Sequence, residues 1–173
     1  MSKYNYMWSL FISNRKGLDT PLLIYLRGEL GHGSVMKAYN GTGPFKMTAN
    51  RTFANNSDSI TQRFHMLAID FPCNIGFSND TNFDCPPMPK NSNGKTTLKE
   101  VALTIAEGLK DFFEVNDMDC YLKNLLSLDI FIWSEGFASP LSIYLRKALE
   151  ALPKLNIKIK GLIMGDPMID VLR

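Results

Sequence analysis

The sequence predicts an α/β protein, a three-layer arrangement in which a mostly parallel sheet has helices available for both of its faces. Three observations carry that reading. Strand-sized apolar runs alternate with segments of helical periodicity, in the order β-β-β-α-β-α-β. The run LDIFIW is apolar at successive positions, as a strand covered on both faces requires. The length of 173 residues allows one domain with a real core and is too short for two.

The elements follow in order. Residues 4–12 and 21–26 (PLLIYL) read as strands separated by the turn signal Asn14-Arg15-Lys16-Gly17. A glycine-rich loop follows, Gly28-Glu29-Leu30-Gly31-His32-Gly33-Ser34, and then a strand over 64–71 ended by Pro72. Residues 78–96 are loop, rich in proline and small polar residues. A helix starts at Thr97, where Glu100 three positions on completes a capping box. Its Leu98, Val101, Ala102, Ile105, Ala106, Leu109, Phe112 and Phe113 form one apolar face. LDIFIW is then read as the buried central strand. A second helix follows, with Pro140 in its first turn and Leu141, Tyr144, Leu145, Ala148, Leu149 and Leu152 on one stripe. Residues 157–164 (IKIKGLIM) form the last strand, and no internal repeat is present.

Composition excludes several classes. The net charge is +2 with the basic residues scattered, so nothing marks a nucleic-acid or membrane-surface partner. No apolar stretch has transmembrane length. Two histidines and three well-separated cysteines, Cys73, Cys85 and Cys120, offer no metal site, and no cofactor is expected. The cysteines allow one disulfide or none. The opening residues do not read as a secretory leader, since Tyr4, Asn5 and Tyr6 interrupt any apolar run. Four Asn-x-Ser/Thr acceptor patterns, at Asn40, Asn50, Asn55 and Asn79, nonetheless hint at a secretory history.

The informative junction is the one leaving LDIFIW, Trp133-Ser134-Glu135-Gly136-Phe137-Ala138-Ser139. It resembles the Gly-Glu-Ser-Tyr-Ala-Gly nucleophile elbow of the serine carboxypeptidases, which are α/β-hydrolases. Four further segments match that family in order. The segment Tyr25-Leu26-Arg27-Gly28-Glu29-Leu30-Gly31-His32-Gly33-Ser34 resembles Trp-Leu-Asn-Gly-Gly-Pro-Gly-Cys-Ser-Ser. Thr42-Gly43-Pro44-Phe45 resembles Glu-x-Gly-Pro-Phe. Asp70-Phe71-Pro72-Cys73-Asn74-Ile75-Gly76-Phe77-Ser78 is similar to Asp-Gln-Pro-Val-Gly-x-Gly-Phe-Ser. Ile163-Met164-Gly165-Asp166-Pro167-Met168-Ile169-Asp170 is similar to Ile-Gly-Asn-Gly-x-x-Asp.

The resemblance implies a single partial α/β-hydrolase-like domain over 1–173, truncated after the strand at 157–164. It also implies a site whose chemistry is broken. Gly136 falls at the nucleophile, and glycine forms no acyl-enzyme. Ser134 and Ser139 are displaced from the apex, and read as a strand-end hydroxyl and a helix N-cap. The oxyanion positions carry over to Glu29 and Phe137, and the glutamate has the wrong sign beside an oxyanion. The substrate-carboxylate positions carry over to Arg27, Gly28, Gly41 and Glu135, of which Glu135 alone keeps the family's acid. His32 occupies the family's loop cysteine, His65 lies in a strand, and the catalytic Asp and His have no counterpart before Arg173.

The expectation is therefore an inactive carboxypeptidase-like interaction or structural module, or a remnant, with a protein partner covering the open side of the sheet. Two alternatives stand beside it: part of a split serine-type carboxypeptidase completed in trans, and a non-cutting binder of peptide C-termini. The family resemblance suggests a secretory, vacuolar or lysosomal setting.

Overall fold

The computed structural model describes residues 6–15, 19–28, 31–78, 88–114, 127–153 and 157–169. Seven strands and three α-helices follow in order: β1 (Trp8–Phe11), β2 (Leu22–Leu26), α1 (Ser34–Lys37), β3 (Phe45–Met47), β4 (Phe53–Asn55), β5 (His65–Ile69), α2 (Leu98–Glu114), β6 (Ile130–Glu135), α3 (Ala138–Glu150) and β7 (Ile159–Gly165). Five strands make the main sheet in the order β1-β5-β2-β6-β7, and β3 with β4 makes a separate hairpin. Every pairing in the main sheet is parallel except β1 with β5.

Strand order explains where the helices go. The chain steps from β5 over β2 to β6 through α2, and onward in the same direction to β7 through α3. Right-handed crossovers in one direction lay both helices on one face. The step from β2 back to β5 runs the other way, so the short α1 lies on the opposite face. The main core forms under the long helices, from Leu22, Ile24, Leu67, Ile69, Ile130 and Ile132 of the sheet, Ile105, Leu109 and Phe113 of α2, and Leu141, Leu145 and Leu149 of α3. A smaller cluster on the α1 face joins Phe11, Tyr25, Met66 and Ala68 to Val35 and Ala38.

β2, not β6, is therefore the centre of the sheet, and all five of its residues are buried. β6 alternates buried and half-buried positions, because among the described residues no long helix covers Phe131, Trp133 and Glu135 on the α1 face. The same face continues onto β7, where Ile163 pairs with Trp133 and is 41% exposed. Among the described residues β7 has one strand neighbour, so its outer edge is open.

One half of the capping box forms at α2, the Glu100 carboxylate reaching back to accept from the Thr97 N–H, and the Thr97 hydroxyl donates to the same carboxylate. Those bonds hold the Glu100 carboxyl below its ordinary pKa, the Thr97 hydroxyl contributing most. Two expected stripe residues lie outside: Leu98 and Tyr144 are exposed, at the first residue of α2 and the outer flank of α3. Cys73 is disulfide-bonded, while Cys85 and Cys120 fall outside the described residues.

Candidate functional site

The elbow is present in its backbone. β6 ends at Glu135, Gly136 takes φ +48°, and α3 begins at Ala138 behind it. Positive φ at this apex is the sharp strand-to-helix turn that exposes a nucleophile in hydrolases, and glycine adopts it without strain. The apex is tied to the segment leaving β7: the Gly136 N–H donates to the Gly165 carbonyl at 3.0 Å, and its carbonyl accepts from the Met168 N–H at 3.3 Å. A third bond, from the Ser139 N–H to the Gly136 carbonyl at 3.1 Å, closes the first turn of α3.

Gly28 lies against this turn. A Cβ added there would come within 1.5 Å of the Glu135 carbonyl oxygen, so only glycine lets the loop approach. A Cβ added at Gly136 would meet nothing closer than the Gly28 carbonyl oxygen at 3.7 Å, an ordinary contact. The apex has room for a side chain and carries none.

A cleft of about 690 Å³ opens at the apex, lined by Gly28, His32, Glu135, Gly136, Phe137, Gly165, Asp166 and Met168. No hydroxyl or thiol side chain is among them. Ser134 is buried beneath the turn and donates to the Ser142 hydroxyl at 3.2 Å. Ser139 is not the N-cap expected of it. The helix starts two residues earlier than a Ser139 cap would give, at Ala138 with Phe137 at the cap, so the Ser139 side chain is buried in the first turn, its hydroxyl unpartnered.

The substrate-carboxylate positions separate. Gly28 and Glu135 line the cleft, whereas Gly41 lines a neighbouring cavity of about 590 Å³ with Thr42, Arg63 and Trp133. Arg27 lines neither, though it lies close enough to Tyr25 to favour its charged form. Glu135 accepts a hydrogen bond from the Tyr25 hydroxyl at 3.1 Å. Tyr25 is fully buried with its ring 5.0 Å from that of Trp133. Burial, and then the Glu135 charge, push its phenol well above the usual range, so it stays a neutral donor. Glu29 and Asn79 lie outside the described residues.

The structure adds two residues that the sequence reading undervalued. His32, read as a loop substitution, reaches the cleft beside Gly136. Asp70 ends β5 fully buried, and its carboxylate accepts from the Val35 N–H at 2.8 Å and the Phe77 N–H at 2.9 Å. Gly33 and Gly76 press against that carboxylate so closely that a Cβ at either would overlap it. Asp70 thus pins the glycine-rich loop that shapes the cleft. His65 is structural, as expected: buried at the start of β5, its Nδ1 accepts from the Ser13 N–H at 3.1 Å. No cluster of metal-ligating side chains occurs among the described residues.

These features have a recognisable counterpart. The family model for serine carboxypeptidases matches residues 2–173. The chain belongs to the serine carboxypeptidase family. Relatives include the protein named serine carboxypeptidase-like 49 of Arabidopsis thaliana, 25% identical over 168 residues, a match covering 95% of this chain and 30% of the relative. The probable serine carboxypeptidase CPVL of Rattus norvegicus is likewise 25% identical, covering 96% of this chain and 32% of its own length. Among solved structures, the prohormone-processing carboxypeptidase KEX1 of Saccharomyces cerevisiae superposes with a TM-score of 0.76 at 23% identity, over 96% of this chain and 35% of that one. That likeness shows the α/β-hydrolase fold. The chain spans about a third of the length of these relatives.

Proposed function

We propose that this chain is a non-catalytic member of the serine carboxypeptidase family, acting as an interaction or structural module. The observation that carries the reading is the elbow apex: Gly136 holds the left-handed turn of a nucleophile position, has room for a side chain, and has none. Covalent catalysis needs an activated nucleophile at that point, and displaced hydroxyls do not replace it. The described residues that line the cleft with His32 carry no hydroxyl or thiol to serve as a nucleophile. A partner is supported by the sheet itself, whose α1 face leaves Phe131 and Trp133 half-buried and Ile163 exposed beside an open edge.

The test is turnover of blocked dipeptides by the purified chain. The expected result is release of C-terminal amino acid at the rate of buffer alone, unchanged by His32→Ala. Release above buffer that His32→Ala abolishes would overturn the reading.

A further inference from the structure

Three acceptor patterns for N-linked glycans lie among the described residues, and their surroundings differ. Asn40 is held by the fold, its side-chain oxygen accepting from the Met47 N–H at 3.3 Å. Asn55 sits within β4, paired with Phe45 across the hairpin. Asn50, exposed like the other two, sits at the tip of the turn joining β3 to β4, and its amide makes no hydrogen bond among the described residues. That turn is closed by local bonds only: the Thr48 N–H to the Thr52 carbonyl at 2.8 Å, the Arg51 N–H to the Thr48 carbonyl at 3.0 Å, and the two threonine hydroxyls at 2.8 Å. The hairpin is anchored by Phe45 and Phe53 against Tyr39, while the Asn50-Arg51-Thr52 triplet at its tip is exposed at all three positions and so open to a modifying enzyme.

Two further observations point the same way. Cys73 is disulfide-bonded, and such bonds form and persist in oxidising compartments, where oligosaccharide transfer to asparagine also takes place. The strand ends flanking the turn carry an exposed apolar pair, Met47 at 42% and Phe53 at 56%, facing each other in register. Tyr39 and Phe45 contact Phe53 from one side only, and an attached sugar at the turn would shade the rest of the ridge from other chains.

We propose that Asn50 is an N-glycosylation site of this chain, preferred over Asn40 and Asn55 among the described residues, taking an oligosaccharide from a lipid-linked diphosphate donor. In the transfer, the Asn50 amide nitrogen bonds to the anomeric carbon of the first sugar. The bond from that carbon to the diphosphate oxygen breaks, its electron pair leaves on the diphosphate, and the amide nitrogen loses one proton. Nothing is oxidised or reduced. This inference is independent of whether the elbow is catalytic.

The test directs the whole chain into the lumen of the endoplasmic reticulum behind a cleavable leader. The secreted product is treated with a peptide N-glycosidase in heavy-oxygen water and mapped by mass spectrometry. The expected result is a mobility shift removed by the enzyme and a heavy-oxygen aspartate at position 50, lost in Asn50→Gln and Thr52→Ala and kept in Thr52→Ser. Asn50→Gln should also increase binding of a hydrophobic dye several-fold. A leader-cleaved chain without glycan, or one labelled only at Asn40 or Asn55, would overturn the proposal.

Discussion

Gly28 and Gly136 touch at the elbow and place opposite demands on substitution. At Gly28 the obstacle is the Glu135 backbone, 1.5 Å from where a Cβ would stand, and backbone does not step aside. Gly28→Ala is therefore expected to cost about 3 kcal/mol or more in urea unfolding, at the upper end of overpacking penalties. At Gly136 space is available and the cost is the left-handed turn alone, so Gly136→Ser should cost only about 1–2 kcal/mol. Equal losses for the two variants would show that the apex is not an elbow. Gly136 was legible in the sequence because a motif supplied its register. Asp70 was not: its motif was matched as a segment, and only three dimensions show one carboxylate serving two loops. His32 was likewise undervalued, since the path of a glycine-rich loop cannot be read from spacing.

At the scale of elements, long periodic segments were read well and short ones were missed. The capping box at Thr97 and the buried faces of α2 and α3 appear where periodicity placed them. The stripe of each helix loses one member, Leu98 at the first residue of α2 and Tyr144 on the outer flank of α3. The three-residue strands β3 and β4 carry too few positions for alternation to register, so the hairpin was invisible. The N-cap lies two positions before Ser139, at Phe137, because the elbow turn itself leads into α3 and no side chain caps it. At the start of β5, His65 accepts a backbone hydrogen bond that only the neutral ring can take, and burial holds its pKa below 6.5. A depressed histidine pKa means that the unfolded chain protonates first on acidification. The contribution is complete above the ordinary value and lost as pH falls toward the folded value. Unfolding free energy should thus decline from neutral to mildly acid pH, and His65→Gln should flatten that decline; an unchanged slope would remove His65 as its source.

For the whole molecule, sequence order revealed the α/β class and mostly parallel sheet but not which face each helix covers. That depends on strand order, and strand order is set by long-range pairing that no local pattern encodes. Once β5 and β2 exchange places relative to the chain, α2 and α3 fall together, and among the described residues no long helix lies on the β6–β7 half of the other face. The proposed non-catalytic role rests at this scale on an intact turn, an open cleft without a hydroxyl or thiol in its described lining, and a sheet face on which Ile163 is exposed. The most direct measurement is the intact mass of the folded chain after incubation with a serine-directed fluorophosphonate. The account predicts the unmodified mass. A stoichiometric adduct that maps to any serine, Ser134 and Ser139 included, would contradict it.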